Sequence, residues 1–131
     1  MTTPSGSRRF VVDSSGWVEF LGGGPKADAF GKYLQNQEAV LLPSIVVYEV
    51  YTKMLREQTS DLAERFLSHA FGFHEREVAL DIWLAASAAR VSLATNLPMA
   101  DAIIYATARA HQAELITSDA HFIGLPGVTV L

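Results

Sequence analysis

The run Arg9-Phe10-Val11-Val12-Asp13-Ser14-Ser15 limits what this chain can become more than any other stretch. Its apolar centre, one aromatic and two β-branched residues, reads as a buried strand that stops at a carboxylate followed by two serines. In an open α/β sheet the carboxyl ends of the strands are where ligands sit, because loops and helix N-termini converge there over a rigid base. Asp13 is therefore expected to face a cleft. An acid in this place can also cap the helix that follows, so its weight depends on whether other carboxylates arrive at the same point.

Beyond Asp13 the chain alternates helical and strand patterns. Residues 16–21 predict a short helix, ended by Gly22-Gly23-Gly24-Pro25. The glycines and Lys26 do not make a phosphate loop, since they follow a helix and lack the G-x-x-x-x-G-K-[ST] spacing. Ala27, Phe30, Tyr33 and Leu34 mark a second helix over residues 26–37. Residues 39–43 predict a second strand, and Ser44 is placed to cap a helix through Arg56, although the β-branched run 45–47 leaves a longer strand as the alternative. A further helix starts at Thr59-Ser60-Asp61, carries Leu62, Phe66, Leu67 and Ala70, and should form a hairpin with the one before it.

Residues 77–80 predict a third strand, and Asp81 is placed to cap a long helix whose apolar face holds Trp83, Leu84, Ala88, Val91 and Ala94. Thr95-Asn96-Leu97-Pro98 breaks that helix and puts Pro98 in the first turn of the next, residues 99–112, where Ala102, Ile103, Ala106 and Ala110 should pack inward. Glu114-Leu115-Ile116-Thr117 predicts a fourth strand that stops at Ser118-Asp119, much as the first stops at Asp13. Residues 126–131 supply a last short strand. The alternation predicts an α/β fold, a mostly parallel sheet of four to five strands with helices on both faces.

Composition bounds the chemistry. The 131 residues fit one domain, and with 50% apolar and 18% charged residues the chain should bury a proper core, with apolar surface left for a partner. Cysteine is absent, which excludes disulfides, thiolate zinc sites and cysteine nucleophiles. Residues 1–8 are expected to be a loose tail ahead of a domain spanning 9–131, with no signal peptide and no bilayer-spanning run, so a cytoplasmic protein is expected. The net charge of −4 argues against a simple basic nucleic-acid binder. If four acids are set aside to hold metal, however, the remaining 10 of the 14 equal the 10 Lys and Arg. Bound metal would then reverse the local sign and admit a phosphate.

Four acids are candidates. Asp13 and Asp119 both end strands, and adjacent parallel strands would bring them within reach of one ion. Glu49 lies one to two turns into the helix after the second strand, and Asp101 sits in the apolar first turn after Pro98. Each has a plainer role open to it: Asp13 as a cap, Glu49 paired with Lys53, Asp101 favouring the helix dipole, Asp119 closing an Asx-turn. Clustered without metal they would repel one another and raise each other's pKa, whereas Mg²⁺ or Mn²⁺ wants hard oxygen ligands. Elsewhere, His69 and His74 are off a common helical face, and Ser14 and Ser15 lack a G-x-S-x-G setting, so neither zinc nor serine chemistry is indicated.

Taken in order, Val11-Val12-Asp13-Ser14-Ser15, Tyr48-Glu49-Val50, Leu97-Pro98-Met99-Ala100-Asp101-Ala102 and Leu115-Ile116-Thr117-Ser118-Asp119-Ala120-His121-Phe122 resemble the PIN-domain ribonucleases, specifically the VapC toxins of bacterial toxin–antitoxin pairs. The resemblance runs from Phe10 onward and implies a single PIN-like domain. Asp13, Glu49, Asp101 and Asp119 then match the acidic quartet, both catalytic and metal-holding, while Ser15 and Thr117 match small polar residues that support the ligands or waters. It further implies Mg²⁺ or Mn²⁺ as cofactor, RNA as substrate with 5′-phosphate and 3′-hydroxyl products, a VapB-like antitoxin as partner, and a homodimer. Arg8, Arg9, Lys26, Lys32, Lys53 and Arg56 are candidates for a cationic rim. Many relatives carry a further acid soon after the fourth, where this chain has His121. That residue reads first as a loop position beside Phe122, and second as a softer ligand or phosphate contact.

Two other functions use the same residues. A Mg²⁺-dependent phosphatase of the strand-then-D-x-D type would need a second Asp where Ser15 stands. A non-catalytic binding module would keep the fold and act through its partner alone.

Overall fold

The structure, a computed structural model, describes residues 8–57 and 60–131. Five strands, β1 (Phe10–Val12), β2 (Val40–Pro43), β3 (Glu77–Val78), β4 (Glu114–Thr117) and β5 (Val128–Val130), form one sheet in the order β3-β2-β1-β4-β5, with every pairing parallel. Six helices connect them: α1 (Ser14–Gly22), α2 (Ala27–Leu34), α3 (Ser44–Glu57), α4 (Ser60–Phe71), α5 (Ile82–Thr95) and α6 (Met99–Ala110). Parallel strands take right-handed crossovers. The first four helices therefore cover one face, and the reversal from β3 back to β4 carries α5 and α6 to the other.

Local chemistry accounts for the ends of these elements. Asp13 is extended and accepts from the Ser14 N–H at 2.8 Å, so the residue that closes β1 also opens α1. Gly23 ends α1 in the left-handed region (φ 68°), returning its N–H to the Glu19 carbonyl. Asp81 caps α5 through the Leu84 N–H, and Asn96 ends it at φ 61°. Gly16 is buried where a Cβ would stand 2.6 Å from both Phe30 and Val12, so only glycine lets α1 lie this close to the strand and α2. On the same face Trp17 meets Phe66 and Phe73 edge-on at 5.5 Å each, tying α1 to α4 and to the loop after it. Tyr51 donates to Glu64 at 2.7 Å and links α3 to α4 as a hairpin.

Several expectations need correction. Ser44 is the first residue of α3 and not its cap, because the chain passes straight from Pro43 into the helix. The second helix stops at Leu34, and a separate 3-10 turn, Gln37–Ala39, leads into β2. The third strand keeps only two of its four expected residues, since β3 is an edge strand with β2 as its single neighbour. Pro98 precedes the first turn of α6, and that helix ends at Ala110, before Gln112 turns to φ 54°.

On α5, Leu84 and Ala88 are buried but Trp83 is 85% exposed and Ala94 also faces out, as does Ala110 on α6. The helix is apolar around most of its circumference, so periodicity alone does not select the buried side. By contrast α6 is buried at every position from Ala102 to Ala108, wedged between the sheet and α5. The expected tail and the expected start of α4 at Thr59 lie outside the described residues, apart from Arg8 and Ser60. Among the described residues no helix is long and apolar enough to cross a membrane.

Candidate metal centre

The site grows from the pairing of β1 with β4. The register Val12↔Ile116 continues one step further, where the Asp13 N–H donates to the Ile116 carbonyl at 2.9 Å. The next side chains on the two strands meet. Oδ2 of Asp13 accepts from the Thr117 hydroxyl at 2.8 Å and from Ser15 at 3.0 Å, while Oδ1 takes the Ser14 N–H. Ser15 in turn accepts the Ser118 N–H at 3.2 Å, and Thr117 accepts the Asp119 N–H at 2.9 Å. The two supporting hydroxyls expected from the sequence thus lock the two strand ends together around one carboxylate. Asp13 is only 2% exposed, and burial raises its pKa; the Thr117, Ser15 and Ser14 bonds pull it back, and the Asp119 charge pushes it up again.

The other acids come from α3, from α6 and from the loop after β4. Glu49 projects from α3 with its Oε1 buried and lacking a hydrogen-bond partner. Burial raises its pKa; the Ser14 hydroxyl offsets part of this, and the charges of Asp13, Asp101 and Asp119 add to it. Asp101 sits in the first turn of α6, its pKa raised by burial and then by Asp119 and Asp13, with His121 acting in the opposite sense. Asp119 caps the 3-10 turn Ala120–Phe122 by accepting the His121 N–H at 2.9 Å. All four acids therefore lie within electrostatic reach of one another, at the carboxyl end of the sheet and beside the point where its strand order reverses.

His121 lies in the turn after β4 beside the buried Phe122, as its sequence position suggests, and its ring also meets this group. Its Nδ1 stands 3.1 Å from Asp101 Oδ2 and 3.2 Å from Asp119 Oδ1, and its pKa is raised first by the hydrogen bond to Asp101. One ligand atom each from Asp101, Asp119 and His121 lie within 4.8 Å of one another. The contact with Asp101 spans 20 residues, and an α/β pattern does not reveal it. The plainer pairing of Glu49 with Lys53 is not formed, since Lys53 bonds Glu57 at 3.2 Å.

A cleft of about 370 Å³ opens over Asp13, Ser15, Glu49, Ser118 and Asp119, with Lys53 among its lining residues. Glu19 also reaches this cleft, but one of its oxygens is engaged by the Lys26 N–H at 2.7 Å. Of the other cations named for a rim, Arg8 and Arg9 belong to the opposite end of the sheet, because they precede β1 where Asp13 follows it. They bind Glu114 and the His111 carbonyl there. Lys26 donates to the Leu131 carbonyl at 2.8 Å.

The donor set suits a divalent cation. Buried and half-buried carboxylates whose pKa values are raised by burial and then by one another's charges, one of them with an unpartnered oxygen, are stabilised in their ionised form by a nearby cation, and oxygen-rich sites of this kind favour Mg²⁺ and Mn²⁺. A sequence model of the PIN domain matches residues 10–127, a span that takes in all four acids and His121. The chain belongs to the PIN-domain family.

Solved structures agree with this PIN fold. A toxin–antitoxin complex from Klebsiella pneumoniae aligns at 23% identity over 92% of this chain and 95% of that one, with a TM-score of 0.70. The DNA-bound VapBC of Salmonella typhimurium aligns at 17% over 95% and 97%, TM-score 0.69. FitAcB from Neisseria gonorrhoeae aligns at 21% over 93% and 96%, TM-score 0.70. No curated protein is a significant match by sequence. At these identities the likeness speaks for the PIN fold alone.

Proposed function

We propose that this PIN domain, working from residues 9–131, is the toxin of a type II toxin–antitoxin pair and cuts RNA as a metal-dependent endoribonuclease. The observation that carries the proposal is the meeting of Asp13, Glu49, Asp101 and Asp119 from four separate segments, with a buried Glu49 oxygen left unpartnered. The toxin–antitoxin complexes among the structural neighbours support the biological setting.

In this reading Asp13, Asp101 and Asp119 hold Mg²⁺ or Mn²⁺ and Glu49 completes the quartet. When bound, such an ion would supply charge neutralisation at the phosphoryl group and activation of water for in-line attack, with a 5′-phosphate and a 3′-hydroxyl as products. Ser15 and Thr117 keep the Asp13 carboxylate from rotating. Glu49, through its free oxygen, would orient the attacking water. Lys53 supplies cationic charge in the cleft for the RNA backbone, with Lys26, Lys32 and Arg56 as outer contacts. A VapB-like antitoxin is the partner that restrains this activity, and the exposed apolar side chains of α5 are the surface for a homodimer.

The phosphatase alternative lacks its second aspartate, and Ser15 at that position is spent on Asp13 and the Ser118 N–H. The deciding experiment is incubation of purified protein with a mixed cellular RNA pool and Mn²⁺ or Mg²⁺, beside EDTA and Asp101→Asn controls. Discrete cuts that disappear in both controls are expected, and mapping their 5′ ends identifies the target. Metal binding by calorimetry without cutting would turn the assignment towards the phosphatase. Absence of both would leave the binding module.

A further inference from the structure

We propose that His121 is a nitrogen ligand of the metal centre and that it shifts the ion preference of this site from Mg²⁺ towards transition-series ions such as Mn²⁺. The inference rests on the metal-dependent reading above and adds to it a residue that makes this chain's site chemically unlike an all-carboxylate one.

Distances come first. Ligands that are cis to each other on an octahedral ion with bonds of about 2.1 Å stand about 3 Å apart. Nδ1 of His121 lies 3.1 Å from Asp101 Oδ2 and 3.2 Å from Asp119 Oδ1, so the ring nitrogen already stands off both oxygens by the edge of such a polyhedron. Those separations also suit hydrogen bonds, so with Nδ1 unprotonated an ion would be accommodated between the three atoms with little movement of the ring.

The backbone fixes this placement. The His121 N–H holds Asp119 Oδ1 at 2.9 Å, and the neighbouring Phe122 is fully buried, so the 3-10 turn presents the imidazole and the carboxylate together. Asp101 arrives from α6, a helix buried through seven consecutive residues after it, and its side chain is only 13% exposed. The most exposed member is the imidazole, 60% exposed at the solvent side of the group. Replacing it therefore leaves the core intact.

Chemistry then sets the direction. Mg²⁺ favours oxygen ligands and dehydrates reluctantly, whereas imidazole suits the later divalent ions, and affinities at mixed nitrogen and oxygen sites rise from Mn²⁺ through Co²⁺ to Ni²⁺. One imidazole among carboxylates therefore weakens the claim of Mg²⁺ and strengthens that of its competitors.

The test uses the full chain with Mn²⁺ as the probe, in wild type, His121→Asp and His121→Ala. Electron spin-echo modulation of bound Mn²⁺ should show a directly coordinated ¹⁴N that vanishes in both variants. By calorimetry, the ratio of Mn²⁺ to Mg²⁺ affinity should fall about tenfold in His121→Asp, a change of the size that even outer-shell changes produce at metal sites. Mn²⁺ bound without nitrogen modulation, or an unchanged ratio in His121→Asp, overturns the inference and leaves the metal-dependent nuclease standing. Failure of wild type to bind any of these ions overturns both.

Discussion

Thr117 donates its hydroxyl to Oδ2 of Asp13 across 2.8 Å, joining two residues 104 positions apart in the chain. The same hydroxyl oxygen accepts the Asp119 N–H, so one side chain sets the orientation of two acids. Thr117→Val keeps the shape and removes both interactions. It should cost about 1–3 kcal/mol in thermal or denaturant unfolding and weaken Mn²⁺ binding by calorimetry. A folded variant with undiminished Mn²⁺ affinity would show that Thr117 serves the fold only.

Burial and then the charges of three neighbouring acids disfavour the ionised form of Glu49 in the folded chain. Glu49→Gln removes that charge with little change of volume. The melting temperature in EDTA should rise while metal-dependent cleavage is lost, a separation of stability from activity. A lower melting temperature in EDTA would mean that the bond from the Ser14 hydroxyl to the carboxylate outweighs burial and repulsion.

Protonation follows the same logic. Asp13, Glu49 and Asp101 all titrate above the ordinary carboxylate range. Between the unfolded and folded pKa values the folded chain binds more protons, so stability falls as pH rises; the contribution is complete below about pH 4 and is lost as pH passes through the raised values. Melting in EDTA should therefore decline with pH across this window, more steeply for wild type than for Glu49→Gln. Saturating Mn²⁺ should flatten the decline, since the ion favours the ionised carboxylates. Equal slopes for the two proteins in EDTA would exclude Glu49 as a contributor.

Gly16 tests how the cap of α1 is positioned. Its added methyl would meet Phe30 and Val12 at 2.6 Å, so Gly16→Ala must move α1 or the ring. A loss of about 1–3 kcal/mol is expected from overpacking, together with weaker metal binding, because Ser14 and Ser15 ride on the displaced helix. Unchanged stability would mean that Phe30 swings aside freely.

The apolar face of α5 bears on assembly. Ile82, Trp83 and Leu93 are each at least 85% exposed. Wild type should elute as a dimer by size-exclusion chromatography with light scattering, and an Ile82→Glu, Leu93→Glu double variant as a monomer with an unaltered circular dichroism spectrum. A monomeric wild type would assign this face to another partner.

What is legible in the sequence, and what is not, divides by range. Asp13 and Asp119 announce themselves because a short apolar run that stops at an acid marks a strand's carboxyl end in an α/β chain, and Asp81 is legible because capping is a matter of three residues. A mostly parallel sheet follows from the alternation of elements, and the sheet observed is parallel at every pairing. Trp83 faces away from the side its spacing suggests, because Ile82, Trp83 and Leu84 are consecutive and a helix apolar on adjacent sides gives periodicity nothing to select. Arg8 and Arg9 suit RNA by charge, but the strand direction puts them at the far end of the sheet. His121 carries little signal of its own, because its significance comes from Asp101 on another element, a contact made by the packing of α6 and not by local pattern.

The place of β1 in the middle of the sheet, between β2 and β4, has a consequence for synthesis. The strand that carries Asp13 is made before the strand and turn that bring Thr117, Asp119 and His121 to it, with 104 positions between Asp13 and Thr117. Folding during translation proceeds from the amino end, so a growing chain holds Asp13 and Glu49 without the partners that complete the centre. The carboxylate cluster therefore cannot assemble until Asp119 and His121 have been made, a delay imposed by strand order alone.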